Sequence, residues 1–151
     1  MPGGPANSVS FLIARVGFGS ARRLSKRLEP FGFDLRQFAM LNQLALAEGQ
    51  SQQAIADGIG IPKSRMVAMV DDLEHRGLVE RRQGDRRTHA LHLTDTGRDV
   101  LLRTRRAARE HDAELTKALT DAERTELVAL LRKLAAEQEL PIGVPPGLMR
   151  P

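Results

Sequence analysis

Apolar positions recur at helical spacing along most of this chain and at strand spacing in one short stretch. Residues 8–29 carry Val9, Leu12, Ile13, Val16, Leu24 and Leu28 in a helical pattern that ends before Pro30. Gly17 and Gly19 fall inside it, where they either weaken the helix or mark a close approach by another one. A second helix is expected over about residues 35–47, with Phe38, Leu41, Leu44 and Ala45 inward. Ser51 suits the N-cap of a short helix with Ala54 and Ile55 on its buried side, broken by Gly58 and Gly60. Pro62 fits the first turn of the next helix, where a missing N–H costs nothing. That helix puts Met66, Val70 and Leu73 on one face and stops at Gly77. Two short helices joined by a glycine-containing turn make a helix-turn-helix.

The period then changes. Leu78–Arg82 and Thr88–Leu93 read as strands, the second alternating His89-Leu91-Leu93 against Ala90-His92. Thr94 can cap a long helix to about residue 118, marked by a sparse stripe of Leu101, Ala108 and Leu115. Thr120-Asp121-Ala122-Glu123 matches a capping box, and the helix after it presents Leu127, Leu130, Leu131 and Leu134. The proline- and glycine-rich tail from Leu140 cannot be helical; it either lies across a partner or is disordered. The whole is mainly α with a small β-hairpin, and its 151 residues are most simply one domain with flexible ends at 1–7 and 140–151.

Charge sharpens one part of this picture. Of the 23 basic residues 19 are arginine, and although the net charge is only +4 the isoelectric point is near 10.3. Codon bias alone can produce such an excess, but its placement is informative. Arg81, Arg82, Arg86 and Arg87 fall within seven residues around a Gly84-Asp85 turn. A hairpin with a cationic tip, following a helix, suits the groove of a nucleic-acid duplex. The chain has no cysteine, which excludes disulfides and thiolate sites. It has no apolar run near the roughly 20 residues that span a bilayer, and its start, MPGGPANS, lacks the features of a secretory signal. A cytoplasmic protein is expected. Walker, His-Glu-x-x-His and dinucleotide-binding motifs are missing, so no enzyme and no cofactor are expected. His75, His89, His92 and His111 have no tight acidic cluster around them, so no metal site is expected either.

The stretch Leu73-Glu74-x-x-Gly77-Leu78-Val79-x-Arg81, followed by Asp85-x-Arg87, five residues and Leu93-Thr94-x-x-Gly97, resembles the MarR family of transcription regulators. These are dimeric winged helix-turn-helix proteins, and the second motif has the spacing of their wing signature. The helix order on both sides agrees, so the resemblance covers about residues 8–138. Pro62 departs from it, standing where the family more often has a polar cap.

The resemblance implies a lobe at 35–93 that binds double-stranded DNA at a pseudo-palindromic operator, and flanking helices at 8–29 and 94–138 that pair two copies. In the lobe, Lys63, Ser64, Arg65, Ala68, Met69 and Asp72 lie off the Met66-Val70-Leu73 stripe and are expected to face the DNA. Arg65 is the candidate for a base contact, Ala68 or Met69 for a thymine methyl, and Lys63 and Ser64 for phosphate. Ser51, Gln52 and Gln53 are further phosphate candidates at the preceding helix start. In the wing, the resemblance makes Arg87 the minor-groove reader and Asp85 its orienter, with Arg81, Arg82 and Arg86 as phosphate contacts. Homodimerisation falls to Phe11, Phe18, Leu101, Ala108, Leu115, Leu127, Leu130, Leu131 and Leu134. Family members often respond to a small phenolic or anionic effector. His111, on the stripe of the long helix, is a weak candidate for binding one or for sensing pH, and more simply a satisfied interface histidine. The competing reading is a winged-helix protein–protein module without sequence-specific DNA binding.

Overall fold

Ser8 starts the first long helix, α1 (Val9–Leu28), its hydroxyl accepting the Phe11 N–H at 3.3 Å. This is a computed structural model that describes residues 5–46, 48–84 and 89–140. Gly17 and Gly19 lie inside α1 without ending it. A methyl group at Gly17 would meet nothing within 4 Å, and at Gly19 only the Arg23 guanidinium. The glycines therefore mark no close helix approach among the described residues.

A single 3-10 turn at Glu29–Phe31 leads into α2 (Leu35–Leu46), whose first-turn N–H groups at Arg36 and Gln37 both donate to Asp34 Oδ1 at 2.8 Å. Helix α3 (Gln52–Ile59) is capped by Ser51, which accepts the Ala54 N–H at 3.1 Å. It buries Ile55, Ala56 and Ile59, whereas Ala54, expected inward, is exposed. Helix α4 (Lys63–His75) begins one residue after Pro62, which is its extended N-cap rather than part of its first turn. Gly77, at φ 69°, takes the left-handed conformation that lets Leu78 N reach Leu73 O at 2.9 Å.

Strands β1 (Val79–Gln83) and β2 (His89–Leu93) pair antiparallel, with Val79 opposite Leu93 and Arg81 opposite Leu91. Strand β1 begins one residue later than expected, and Thr88, the expected first residue of β2, lies outside the described residues. The far edge of β2 is also occupied: Gly49 N donates to Leu91 O at 3.0 Å and Leu91 N to Gln50 O at 2.9 Å. Helix α5 (Asp95–Leu115) follows, then α6 (Asp121–Glu137), which has both hydrogen bonds of the Thr120–Glu123 capping box.

The core belongs to the lobe. Met40, Leu41 and Leu44 of α2, Ile59 of α3, Met66, Val70 and Leu73 of α4, and Leu91 of β2 are completely buried. Each such side chain contributes roughly 1.5–3 kcal/mol of transfer free energy. Leu101 joins this core at 3% exposure, so the dimer-face role expected for it is wrong: the first turns of α5 pack on the lobe. Helix α1 buries only Leu28, and α6 buries nothing. Further along, α1 is tied to α5 by a Ser20 Oγ–His111 Nε2 hydrogen bond of 2.9 Å and an Arg27–Glu114 ion pair of 2.7 Å.

Arg76, just past α4, ties the lobe to the α1–α2 turn. Its guanidinium donates to Phe31 O at 2.8 Å and Gly32 O at 2.9 Å, and lies 4.6 Å from the Phe33 ring centroid. A second joint sits where the hairpin closes. Thr94 N donates to Leu78 O at 3.1 Å, Thr94 Oγ1 donates to Gly77 O at 2.6 Å, and the same hydroxyl caps α5 by accepting the Gly97 N–H at 2.9 Å. A Cβ at Gly97 would stand 1.9 Å from Leu78 O, so α5 touches the backbone of the residue just before β1. Gly97→Ala is expected to cost about 3 kcal/mol or more, because the clash is with backbone that cannot rotate away. Thermal or urea unfolding of the variant measures the loss.

Candidate nucleic-acid interface

Helix α4 presents a polar face because its apolar side chains fill one arc. Met66, Met69, Val70 and Leu73 are buried, while Lys63, Ser64, Arg65, Val67, Ala68, Asp71 and Asp72 are exposed. Met69, at 9% exposure, is therefore a core residue and not a thymine-methyl contact. At about 100° per residue it lies about 40° from Leu73 and inside the buried arc. The same arithmetic puts Val67 on the outer face, an exposed apolar side chain that the stripe argument passed over.

The start of α4 is open. Pro62 supplies no side-chain cap, so the first backbone N–H groups have none of the usual local acceptors. Lys63 and Arg65 stand beside them, exposed and, among the described residues, without an acidic partner within 4.0 Å. Next to this end lies a cleft of about 330 Å³ bounded by Ser51, Gln52, Gln53, Lys63, Arg81 and His89. The structure thus brings together most of the polar residues singled out on α3 and α4. It adds His89, whose place at the first position of β2 gave no sequence signal.

The hairpin arginines divide. Arg81 is held inside the protein: its guanidinium pairs with Asp71 and Glu74 of α4, its backbone N–H donates to Glu74 Oε1 at 3.2 Å, and Nη2 lies 3.3 Å from Gln52 Oε1. Burial alone would lower the Arg81 pKa, but hydrogen bonds and charge from Asp71 and Glu74 raise it overall. Two carboxylates already satisfy this cation, so Arg81 is not the freely available phosphate contact expected of it. Arg82 is exposed and pairs with Glu80 two residues back on the same strand face. Asp85, Arg86 and Arg87 lie outside the described residues.

The flanking helices leave much apolar surface uncovered. Phe18 is 75% exposed, and Phe11, Leu127, Leu130, Leu131 and Leu134 are exposed as well. Val9, Leu12, Ile13 and Val16 on α1 and Val128 on α6 enlarge the set. Ala108 and Leu115 are half-buried. His111 is buried, its ring nitrogen satisfied by Ser20, with its pKa lowered first by burial and then by Arg23 and Arg27. Among the described residues no group of three or more His, Cys, Asp or Glu could hold a metal, and no helix is long and apolar enough to cross a membrane.

Known proteins share this architecture. The sequence model of the MarR family matches residues 31–88. A Thauera aromatica protein assigned to transcriptional regulation of the hcr operon is 31% identical over 146 residues, covering 94% of this chain and 88% of its own length. The chain belongs to the MarR family. Among solved structures, the transcriptional repressor CouR bound to a 23-mer DNA duplex is 32% identical with a TM-score of 0.77, over 86% of this chain and 94% of that one. CouR from Rhodococcus jostii RHA1 has also been solved with p-coumaroyl-CoA, matching at 27% identity and a TM-score of 0.71 over 86% and 93% of the two chains. A Mycobacterium tuberculosis MarR family protein in complex with p-aminosalicylic acid is 28% identical with a TM-score of 0.69, over 85% and 98% of the chains.

The Arg81 clasp generates a prediction with an unusual sign. Neutralising two carboxylates beside a nucleic-acid face should strengthen phosphate binding if their charge alone mattered. Asp71→Asn with Glu74→Gln is instead expected to weaken duplex binding about tenfold or more, because β1 loses its anchor on α4. Fluorescence anisotropy on a labelled duplex distinguishes the two.

Proposed function

We propose that the protein is a homodimeric, DNA-binding transcriptional repressor that acts in the cytoplasm on a near-palindromic operator and lets go when an effector binds. The observation that carries this reading is the uncapped start of α4, where Lys63, Ser64 and Arg65 are exposed and Lys63 shares a cleft with Arg81 and His89 of the hairpin. A helix entering the major groove touches bases with its N-terminal residues, and Lys63 and Arg65, which have no acidic partner within 4.0 Å among the described residues, stand at that end of α4.

Arg65 is assigned to a base edge, most often guanine, and Ala68 with Val67 to apolar contact in the groove. Lys63, Ser64 and the Ser51–Gln53 start of α3 hold phosphate, and Arg87 enters the minor groove with Asp85 beside it. Arg86, and Arg82 when it leaves Glu80, add backbone contacts.

The exposed leucine face of α6 and the apolar N-terminal half of α1 pair two copies. Such pairing sets two recognition helices about 34 Å apart, one turn of DNA. For the effector, the similar structures hold an aromatic acid and an aromatic acyl thioester, and an aromatic anion is the class assigned here.

Selection of bound sites from random duplexes tests the reading. It should return two half-sites in inverted repeat, with centres about one helical turn apart. Indifference between the selected operator and bulk genomic DNA at physiological salt would overturn sequence-specific regulation. Arg65→Ala should lose about 1–3 kcal/mol of affinity and relax the preference at one position in each half-site. Repeating the selection with the variant reads both effects.

A further inference from the structure

A pocket of about 430 Å³ opens between α1 and α5, at the end of α5 remote from the hairpin. None of its lining residues belongs to α2, α3, α4 or either strand. Arg23, Lys26 and Arg27 line it from α1, and Lys117 closes it from the turn after α5. Leu115 adds an apolar wall and His111 a polar one. The volume suits a small organic molecule.

Charge in this pocket is unbalanced. Its four cationic side chains face a single lining carboxylate, Glu114, which Arg27 already holds at 2.7 Å. Among the described residues Arg23, Lys26 and Lys117 have no acidic partner within 4.0 Å. Arg23, Lys26 and Arg27 are three and four residues apart, so they share one face of α1 and converge instead of dispersing around it.

His111 reports the same imbalance from the wall. Its ring is buried, and after burial itself the charges of Arg23 and Arg27 act most strongly against its protonation, with Asp112 and Glu114 acting in the opposite direction. A solvated basic helix face would not need a concave wall that includes a leucine. An anion carrying more than one charge and an apolar part fits this lining: oxygens for the guanidinium and ammonium groups, and the apolar part against Leu115.

We propose that the α1–α5 pocket is an anion site taking a dianionic, phosphate-bearing group, with Arg23, Lys26 and Lys117 as its principal ligands. The proposal rests on the effector-responsive reading above and moves the effector's charged end into the flanking helices. It also gives these three cations a role that DNA contact does not, since Arg23 and Lys26 on α1 and Lys117 after α5 lie outside the lobe. Occupancy would bridge α1 to α5, the two elements that enter and leave the lobe.

Isothermal titration calorimetry at constant ionic strength tests it, using phenyl phosphate, inorganic phosphate and benzoate on the full chain. Phenyl phosphate is expected to bind about tenfold or more tightly than benzoate, and Arg23→Gln with Lys26→Gln to weaken it about tenfold or more. Phenyl phosphate binding tighter than inorganic phosphate identifies an organic phosphate ester as the natural occupant, and equal binding identifies free phosphate. Equal affinity of wild type and variant overturns the site. So does dissociation of the variant into monomers in light scattering, which would mean that the cations face a partner subunit. The variant should still bind the selected operator like the wild type. If the wild type binds no operator, the regulatory reading fails, while the calorimetry still decides the pocket.

Discussion

The backbone contact between Gly97 and the Leu78 carbonyl is the constraint on which the remaining geometry depends. One oxygen, Leu78 O, accepts the Thr94 N–H and also forms the surface against which α5 begins. The Thr94 hydroxyl meanwhile joins Gly77, at the end of the recognition helix, to the first turn of α5. Helix α4, the hairpin and α5 therefore share one closed joint, and the hairpin's two ends are pinned within it. The orientation of the lobe on its long helix is set by peptide groups, which have no rotamers to explore. The threonine and glycine of the Leu93-Thr94-x-x-Gly97 motif each have a separate physical task in that joint.

Much of this was legible in the residues, and the parts that were not share a cause. Helical periodicity with Ser51, Thr94 and Thr120 as caps placed the helices to within a few residues, because caps and apolar spacing are local. Leu101 was misread because a stripe of residues seven apart does not say whether it faces its own lobe or another chain; its neighbours Ala108 and Leu115 remain half-buried. Met69 was misread because three stripe residues were taken as the whole arc. The third extended segment on β2 was invisible, since Gly49-Gln50-Ser51 carries no strand-like alternation.

The arginines show why charge counting overstates an interface. Arg65 and Arg81 look alike in sequence, one in the first turn of α4 and the other on the strand that follows it. Among the described residues Arg65 has no acidic partner within 4.0 Å, whereas Arg81 faces two carboxylates on α4 and becomes internal scaffolding. The difference comes from long-range placement: Asp71 and Glu74 share the α4 flank that β1 crosses. Only the folded chain distinguishes a cation offered to solvent from one consumed by its own structure.

The Arg76 tie has a mechanical consequence. It anchors one end of the 13-residue recognition helix to the α1–α2 turn, while the end that carries Lys63 and Arg65 extends about 20 Å away. The helix is thus a lever with its fulcrum beside the flanking helices. A tilt of about 5° at Arg76 displaces the far tip by about 1.7 Å, more than the few tenths of an ångström that separate a good hydrogen bond from a poor one. A shift at the α1–α2 turn too small to disturb the lobe's packing is large enough, at the other end of the same helix, to misalign the base contacts proposed for Arg65 and Ala68 together.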